Sequence, residues 1–245
     1  MPSLAKAYIT MIAALATATL VIAASRWNPQ SLTQFVALFA LALLASAMKI
    51  HLPGFKTTIS TNFVFILTGI AVLSFSETVL LGLGGALVQS LWKTQQRPKP
   101  VQVLFNGACL TVCAAAAYWV SHALPAMLGL SSVAAMMVVG ACVYVLLNTG
   151  LVSLVISLAE GSSLKKIWPS CYEWSFPYFL IGSAVAGLAS AASQSTTWGV
   201  ILLTAPVMYC AYVYYRMHIL RAVLQNISNV THDNEAVLVG ATHGR

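Results

Sequence analysis

The sequence predicts an all-α fold: a polytopic membrane helix bundle of about eight transmembrane helices with both termini cytoplasmic. Three observations carry this expectation. Of the 245 residues, 59% are hydrophobic and only 7% are charged, against roughly 25% charged in a soluble domain. So few charges cannot cover a water-facing surface. The apolar residues gather into eight runs, each near the length of about 20 residues that a helix needs to cross a bilayer. Finally, ten of the twelve Lys and Arg residues fall into five clusters: Lys6; Lys49 and Lys56; Lys93, Arg97 and Lys99; Lys165 and Lys166; Arg216 and Arg221. The clusters occupy every second connection or a terminus, which is the positive-inside pattern.

In chain order the expected spans are Leu4–Ser25, Leu32–Met48, Thr58–Phe75, Glu77–Trp92, Val101–Leu124, Ser131–Leu158, Trp174–Ala192 and Trp198–Tyr215. The first follows Lys6 and ends in small residues, as a signal peptide would. Its apolar run exceeds the usual h-region of about 7–15 residues, so it is expected to remain as a helix. Arg26-Trp27-Asn28-Pro29 closes it. His51-Leu52-Pro53-Gly54 breaks the chain after the second span, Arg97-Pro98-Lys99-Pro100 separates the fourth from the fifth, and Glu160-Gly161-Ser162-Ser163 ends the sixth. The third and fourth segments are short, joined through Phe75-Ser76-Glu77. Full spans are expected, since a re-entrant tip carrying Glu77 would be costly in hydrocarbon; a hairpin is the alternative. Residues 1–215 thus form one transmembrane helical domain. Residues 216–245 form a short cytoplasmic tail, amphipathic through Leu220, Val223, Leu224, Ile227 and Val230. On such a tail the glycosylation sequons at Asn226 and Asn229 mean nothing.

The +7 net charge is not read as a nucleic-acid footprint, because the cations sit at membrane ends, where they hold orientation and meet anionic headgroups. Five cysteines are scattered without a CxxC spacing. Cys109 and Cys113 share a helix face with no His or carboxylate at ligand spacing, so they are read as small apolar core residues. Small residues Gly82, Gly84 and Gly85, then Gly182, Ser183, Ala186 and Gly187, mark faces where helix backbones approach closely. They suit internal packing, with a homodimer seam as the other use. Trp27, Trp92, Trp168, Trp174 and Trp198 lie near span ends, as interfacial anchors do.

Function in such a chain should show as polar groups inside the hydrocarbon. Asn62, Gln89, Asn106, Asn148 and Glu173 fall in the inner half of five different helices, and are the candidate ligand-binding residues. If their faces converge, four amides and one carboxylate make a pocket for a polar, neutral or weakly charged molecule. The competing reading is interhelical hydrogen bonding, worth about 0.6–2 kcal/mol per bond. Glu77 and His122 lie on the outer side. No HExxH, GxSxG or Walker motif occurs, Asp is absent before Asp233, and the neighbours Ser121 and His122 point to different helix faces. No catalytic residue, metal site or cofactor is therefore expected.

Several segments carry a family resemblance: LPGFKTTIS at 52–60, TNFVFILTGIAVLSFSETVLLGLGGALVQSLW at 61–92, RPKPVQVLFN at 97–106, VLLNTGLVSLVISLAEG at 145–161 and IWPSCYEWSFPYFLIGSAVAG at 167–187. Together they resemble the multi-helix membrane input region that precedes HD-GYP or GGDEF signalling domains in bacteria. The resemblance implies a multi-pass protein of the bacterial inner membrane with a sensory role, passing a signal through the helix after Tyr215. No GYP or GGDEF motif occurs, and the His232-Asp233 pair stands alone in the short tail, so either a separate cytoplasmic partner is expected to read the state or the module acts by itself. The Leu-Pro-Gly start and the Gly-rich fourth segment are also similar to substrate-binding S components of energy-coupling factor transporters. That likeness implies a transport component with an ATPase partner.

Overall fold

A computed structural model describes residues 2–28, 31–51, 58–92, 97–129, 132–195, 198–221 and 224. The chain is an all-α membrane bundle carrying one small β-hairpin. The elements are α1 (Ser3–Ser25), α2 (Leu32–Ala47), β1 (Lys49–His51), β2 (Thr58–Ser60), α3 (Asn62–Val72), α4 (Phe75–Leu91), α5 (Pro100–Met127), α6 (Val133–Glu160) and α7 (Leu164–Ser195). A 3₁₀ turn at Trp198–Leu203 then opens the last apolar helical stretch, α8 (Gly199–Arg221). Five helices are long and apolar enough to cross a membrane: α1, α5, α6, α8 and, within α7, Ser175–Ser193. The α2, α3 and α4 helices are apolar but shorter.

The expected third span is corrected. Thr58–Ser60 is strand, paired antiparallel with Lys49–His51 in the register Lys49 to Ser60, Ile50 to Ile59 and His51 to Thr58. The run Thr57-Thr58-Ile59-Ser60-Thr61 is rich in β-branched residues, which suit a strand. Backbone off the helical path is tolerated at membrane depth where protein covers it; here Ile50, Ser60 and Thr61 are all buried. The helix that follows, α3, has eleven residues and rises only about 16 Å, against a hydrocarbon core of about 30 Å. Every residue from Asn62 to Ile70 is buried. α3 touches α2, α4, α5, α6 and α7 and forms the axis around which the longer helices stand.

The expected connection Phe75-Ser76-Glu77 is also corrected, because these residues form the first turn of α4. Ser74 caps that helix: its hydroxyl receives the Glu77 N–H at 3.4 Å, and Glu77 Oε2 accepts from the Ser74 N–H at 2.9 Å and from its hydroxyl at 2.8 Å. Ser-x-x-Glu before an apolar run is the sequence signature of this box. Satisfying two orphan donors there outweighs continuing a loop. The seventh helix begins at Leu164 rather than Trp174, with Pro169 and Pro177 inside it. A left-handed Gly161 (φ 69°) ends α6.

Close approach follows the small residues. A Cβ on Gly82 would lie 3.1 Å from the Leu110 carbonyl oxygen on α5, one on Gly84 would meet the Phe39 ring on α2 at 2.8 Å, and one on Gly85 would strike Asn62 on α3. Each glycine of the triplet thus faces a different helix. On α7 Gly182 works likewise, against Phe63 and Val64, whereas a Cβ on Gly187 would meet nothing within 4 Å. Cys109 and Cys113 are fully buried in the core, as expected.

Contacts join residues near several of the described cations at one end of the bundle. Tyr8, near Lys6, reaches Phe105 and the Leu151 carbonyl. Lys49 Nζ donates to the Trp92 carbonyl, closing the C-terminus of α4, although partial burial lowers the Lys49 pKa from its ordinary value. The Tyr178 ring on α7 lies tilted against that of Tyr215, which precedes Arg216. At the other end the Ser76 hydroxyl donates to the Ala23 carbonyl and Arg26 lies over the Trp119 ring. Lys56 and Lys93 lie outside the described residues, as does all of the expected tail helix beyond Arg221 except Leu224.

Candidate functional site

A polar layer crosses the bundle near its basic end, and α4 is its spine. Gln89 on α4 binds β2 with both ends of its amide: Oε1 accepts from the Ser60 hydroxyl at 2.9 Å, and Nε2 donates to the Thr58 carbonyl at 2.8 Å. One residue on, the Ser90 hydroxyl accepts from Asn106 Nδ2 on α5 at 3.0 Å. One helical turn back, Gly85 leaves the space into which Asn62 of α3 folds. Three of the five candidates, Asn62, Gln89 and Asn106, are therefore brought to one stretch of one helix.

The other two are not. Asn148 stands one helix further round, where its Oδ1 accepts from the Cys109 thiol at 4.0 Å. Glu173 is exposed on α7, so the layer has no carboxylate from that side. The buried carboxylate is Glu77, twelve residues from Gln89 along α4 and thus about 18 Å away. One Glu77 oxygen serves the helix cap and the other is buried without a partner.

Asn62 differs from the other amides. It is fully buried, yet neither Nδ2 nor Oδ1 has a hydrogen-bond partner. Leaving one buried polar group unsatisfied costs about 1–3 kcal/mol. Gln89 and Asn106 hold elements together, whereas the Asn62 amide holds nothing. Its donor and acceptor are unpaired, and Asn62 lines neither the groove between α2 and α8 nor the one between α1, α4 and α5.

The reading of amides alone missed two hydroxyls. Thr61, just before Asn62, lies 2.6 Å from the Tyr178 hydroxyl, and both residues are buried. The Tyr178 ring packs on Phe63 at 5.7 Å and on Tyr215 at 5.2 Å. A line of contacts thus runs from the start of α3, through α7, to the end of α8. A Tyr one residue after Pro177 in an apolar helix was the available signal, since its hydroxyl must find a partner when buried. Among the described residues no group of three His, Cys, Asp or Glu could hold a metal ion. The layer offers neutral donors and acceptors, with no nucleophile placed against a base.

No family model, curated protein or solved structure matches the chain.

Proposed function

We propose that the chain is a small-molecule-binding sensor module of the bacterial inner membrane, with eight membrane segments and both termini in the cytoplasm. A neutral polar ligand engages the Asn62 amide at the start of α3, and the last helix reports its presence to a separate cytoplasmic partner. The observation that carries this reading is the 2.6 Å contact between Thr61 and Tyr178, whose ring lies 5.2 Å from Tyr215. A ligand that shifts the first turn of α3 shifts the Tyr178 hydroxyl, and with it the packing of α8. The likeness to input regions of signalling proteins, argued above from the segments at 52–106 and 145–187, points the same way. Catalysis has no place in this reading.

Two measurements test it. Native mass spectrometry of the detergent-extracted protein should find a small adduct that Asn62→Leu loses; identical spectra for the two proteins would remove the ligand. Amide exchange should then quicken about tenfold at Arg216–Arg221 in Tyr178→Phe while α1 and α5 are unchanged. Unchanged exchange there would break the proposed route.

The interrupted segment from β2 into α3 favours a second reading. Discontinuous segments near mid-membrane line the substrate sites of many transporters, and an S-component-like role with an ATPase partner would use one. Thiol labelling of Asn62→Cys in a cysteine-free background separates the two. Reaction from both faces of sealed vesicles supports transport, and reaction from one face supports sensing.

A further inference from the structure

A second feature, independent of the polar layer, lies on the lipid side of the bundle. α1, α4 and α5 pack against one another but not along their whole length. They leave a groove of about 560 Å³ walled by apolar side chains, among them Ala13, Leu87, Leu91, Pro98, Pro100 and Leu104. From Pro100 to Thr111 along α5 the groove runs about 16 Å, half the roughly 30 Å of a bilayer core. It is therefore one leaflet deep. Its lip is at the basic end, where Arg97 and Lys99 alternate in sequence with the lining Pro98 and Pro100, and both cations are exposed.

Among the described residues no acidic side chain forms an ion pair at this lip. The chain has five acidic residues. Glu77 is at the far end of α4, Glu160 and Glu173 are on α6 and α7, and Asp233 and Glu235 lie outside the described residues. The lip also adjoins the N-terminus of α5, whose backbone dipole favours negative charge. Lys49 on β1 is already held by the Trp92 carbonyl at the end of α4. By contrast, at the groove between α2 and α8, about 290 Å³ and lined by Leu44, Met48, Phe65 and Tyr209, the described cation next to the lining, Lys49, is taken up by the Trp92 carbonyl.

We propose that the α1–α4–α5 groove is a binding site for one anionic phospholipid of the leaflet on the basic side. An acyl chain lies along Leu87, Leu91 and Leu104, and the phosphate sits at Arg97 and Lys99. A fluid bilayer fills any lipid-facing groove, so the content of this proposal is selectivity. Apolar walls accept every acyl chain equally, and the cations choose the headgroup.

The test uses the full chain, delipidated in neutral detergent and titrated with phosphatidylglycerol or phosphatidylcholine under native mass spectrometry. One phosphatidylglycerol should be retained at least tenfold more strongly than phosphatidylcholine. Arg97→Gln/Lys99→Gln, at exposed positions, should remove the preference while leaving the thermal unfolding midpoint in detergent unchanged. Gly107→Leu, which fills the groove floor beside Leu83, should weaken both lipids. Equal retention of the two lipids overturns the site, as does a preference that survives the double substitution. Displacement by soluble glycerol phosphate would show a headgroup patch without a chain site, and a lipid-free dimer would assign the groove to a second copy; either result also overturns it.

Discussion

Asn62 lies directly on Gly85: a Cβ at position 85 would come within 1.8 Å of the Asn62 amide nitrogen. The fit is possible only because residue 85 has no side chain. Gly85→Ala should therefore destabilise the bundle by overpacking, by about 1–3 kcal/mol. Asn62→Ala in the same chain should restore most of that loss, since it removes the colliding group and an unsatisfied amide together. Unfolding in detergent of the two single variants and the double variant measures the coupling. Additive losses would show that the pair does not touch.

Gly182 offers the same test on α7. A Cβ there would meet Phe63 Cζ at 2.1 Å, and Phe63 is wedged against Phe179 with ring centroids 4.6 Å apart. The ring cannot swing aside, so Gly182→Ala should cost about 1–3 kcal/mol. Gly187→Ala, with nothing within 4 Å of the added carbon, should be neutral or slightly stabilising. Comparing the two midpoints checks whether α7 docks on α3 through this one residue.

The β-hairpin hangs on Gln89. Gln89→Leu removes its bonds to Ser60 and Thr58 and should cost about 1–3 kcal/mol, because buried partners are left unsatisfied. Amide exchange at Lys49–His51 and Thr58–Ser60 should rise, with α6 unaffected. Unchanged protection would mean that the strands hold themselves.

The cap on α4 separates shape from charge at Glu77. Glu77→Ala loses the acceptor for Ser74 and should cost about 1 kcal/mol, the usual value of a helix cap. Glu77→Gln retains an acceptor at the same place and should lose less than half as much. Thermal unfolding of both variants at one pH decides. An equal loss would show that the carboxylate acts through its charge.

Threading is checked by alkaline phosphatase fusions. Fusions after Ser31, Gly129 and Gln194 should be active and one after Gly161 inactive, because the basic clusters hold their connections in the cytoplasm. Activity after Gly161 would invert the arrangement.

Much of the architecture was legible in the sequence. The apolar runs correspond to α1, α2, α4, α5, α6, α7 and α8 with ends displaced by a few residues, and by ten at the start of α7. Among the candidate residues, Asn62, Gln89 and Asn106 were expected to line a pocket only if their faces converged; their arrangement along α4 was not legible. Glu173 was expected inside and stands exposed. Ser74 and Glu77 carried a readable capping signature, passed over in favour of a loop joining two apolar runs.

Residence in a bilayer and the segmentation of the chain follow from sequence alone, because partition into lipid is a sum over residues and needs no knowledge of neighbours. The tertiary structure decided which face of each helix turns inward. Lipid and protein core are equally apolar, so an apolar helix carries no stripe that marks its buried side. Rotation about the helix axis is then set by close packing, Gly85 under Asn62 and Gly182 under Phe63, and such fits exist only once the partner helix is in place. The β-hairpin has in part the same origin: Thr58–Ser60 pairs with the neighbouring β1, but Gln89, which also binds its backbone, is 31 residues from Thr58 and only the fold brings it there.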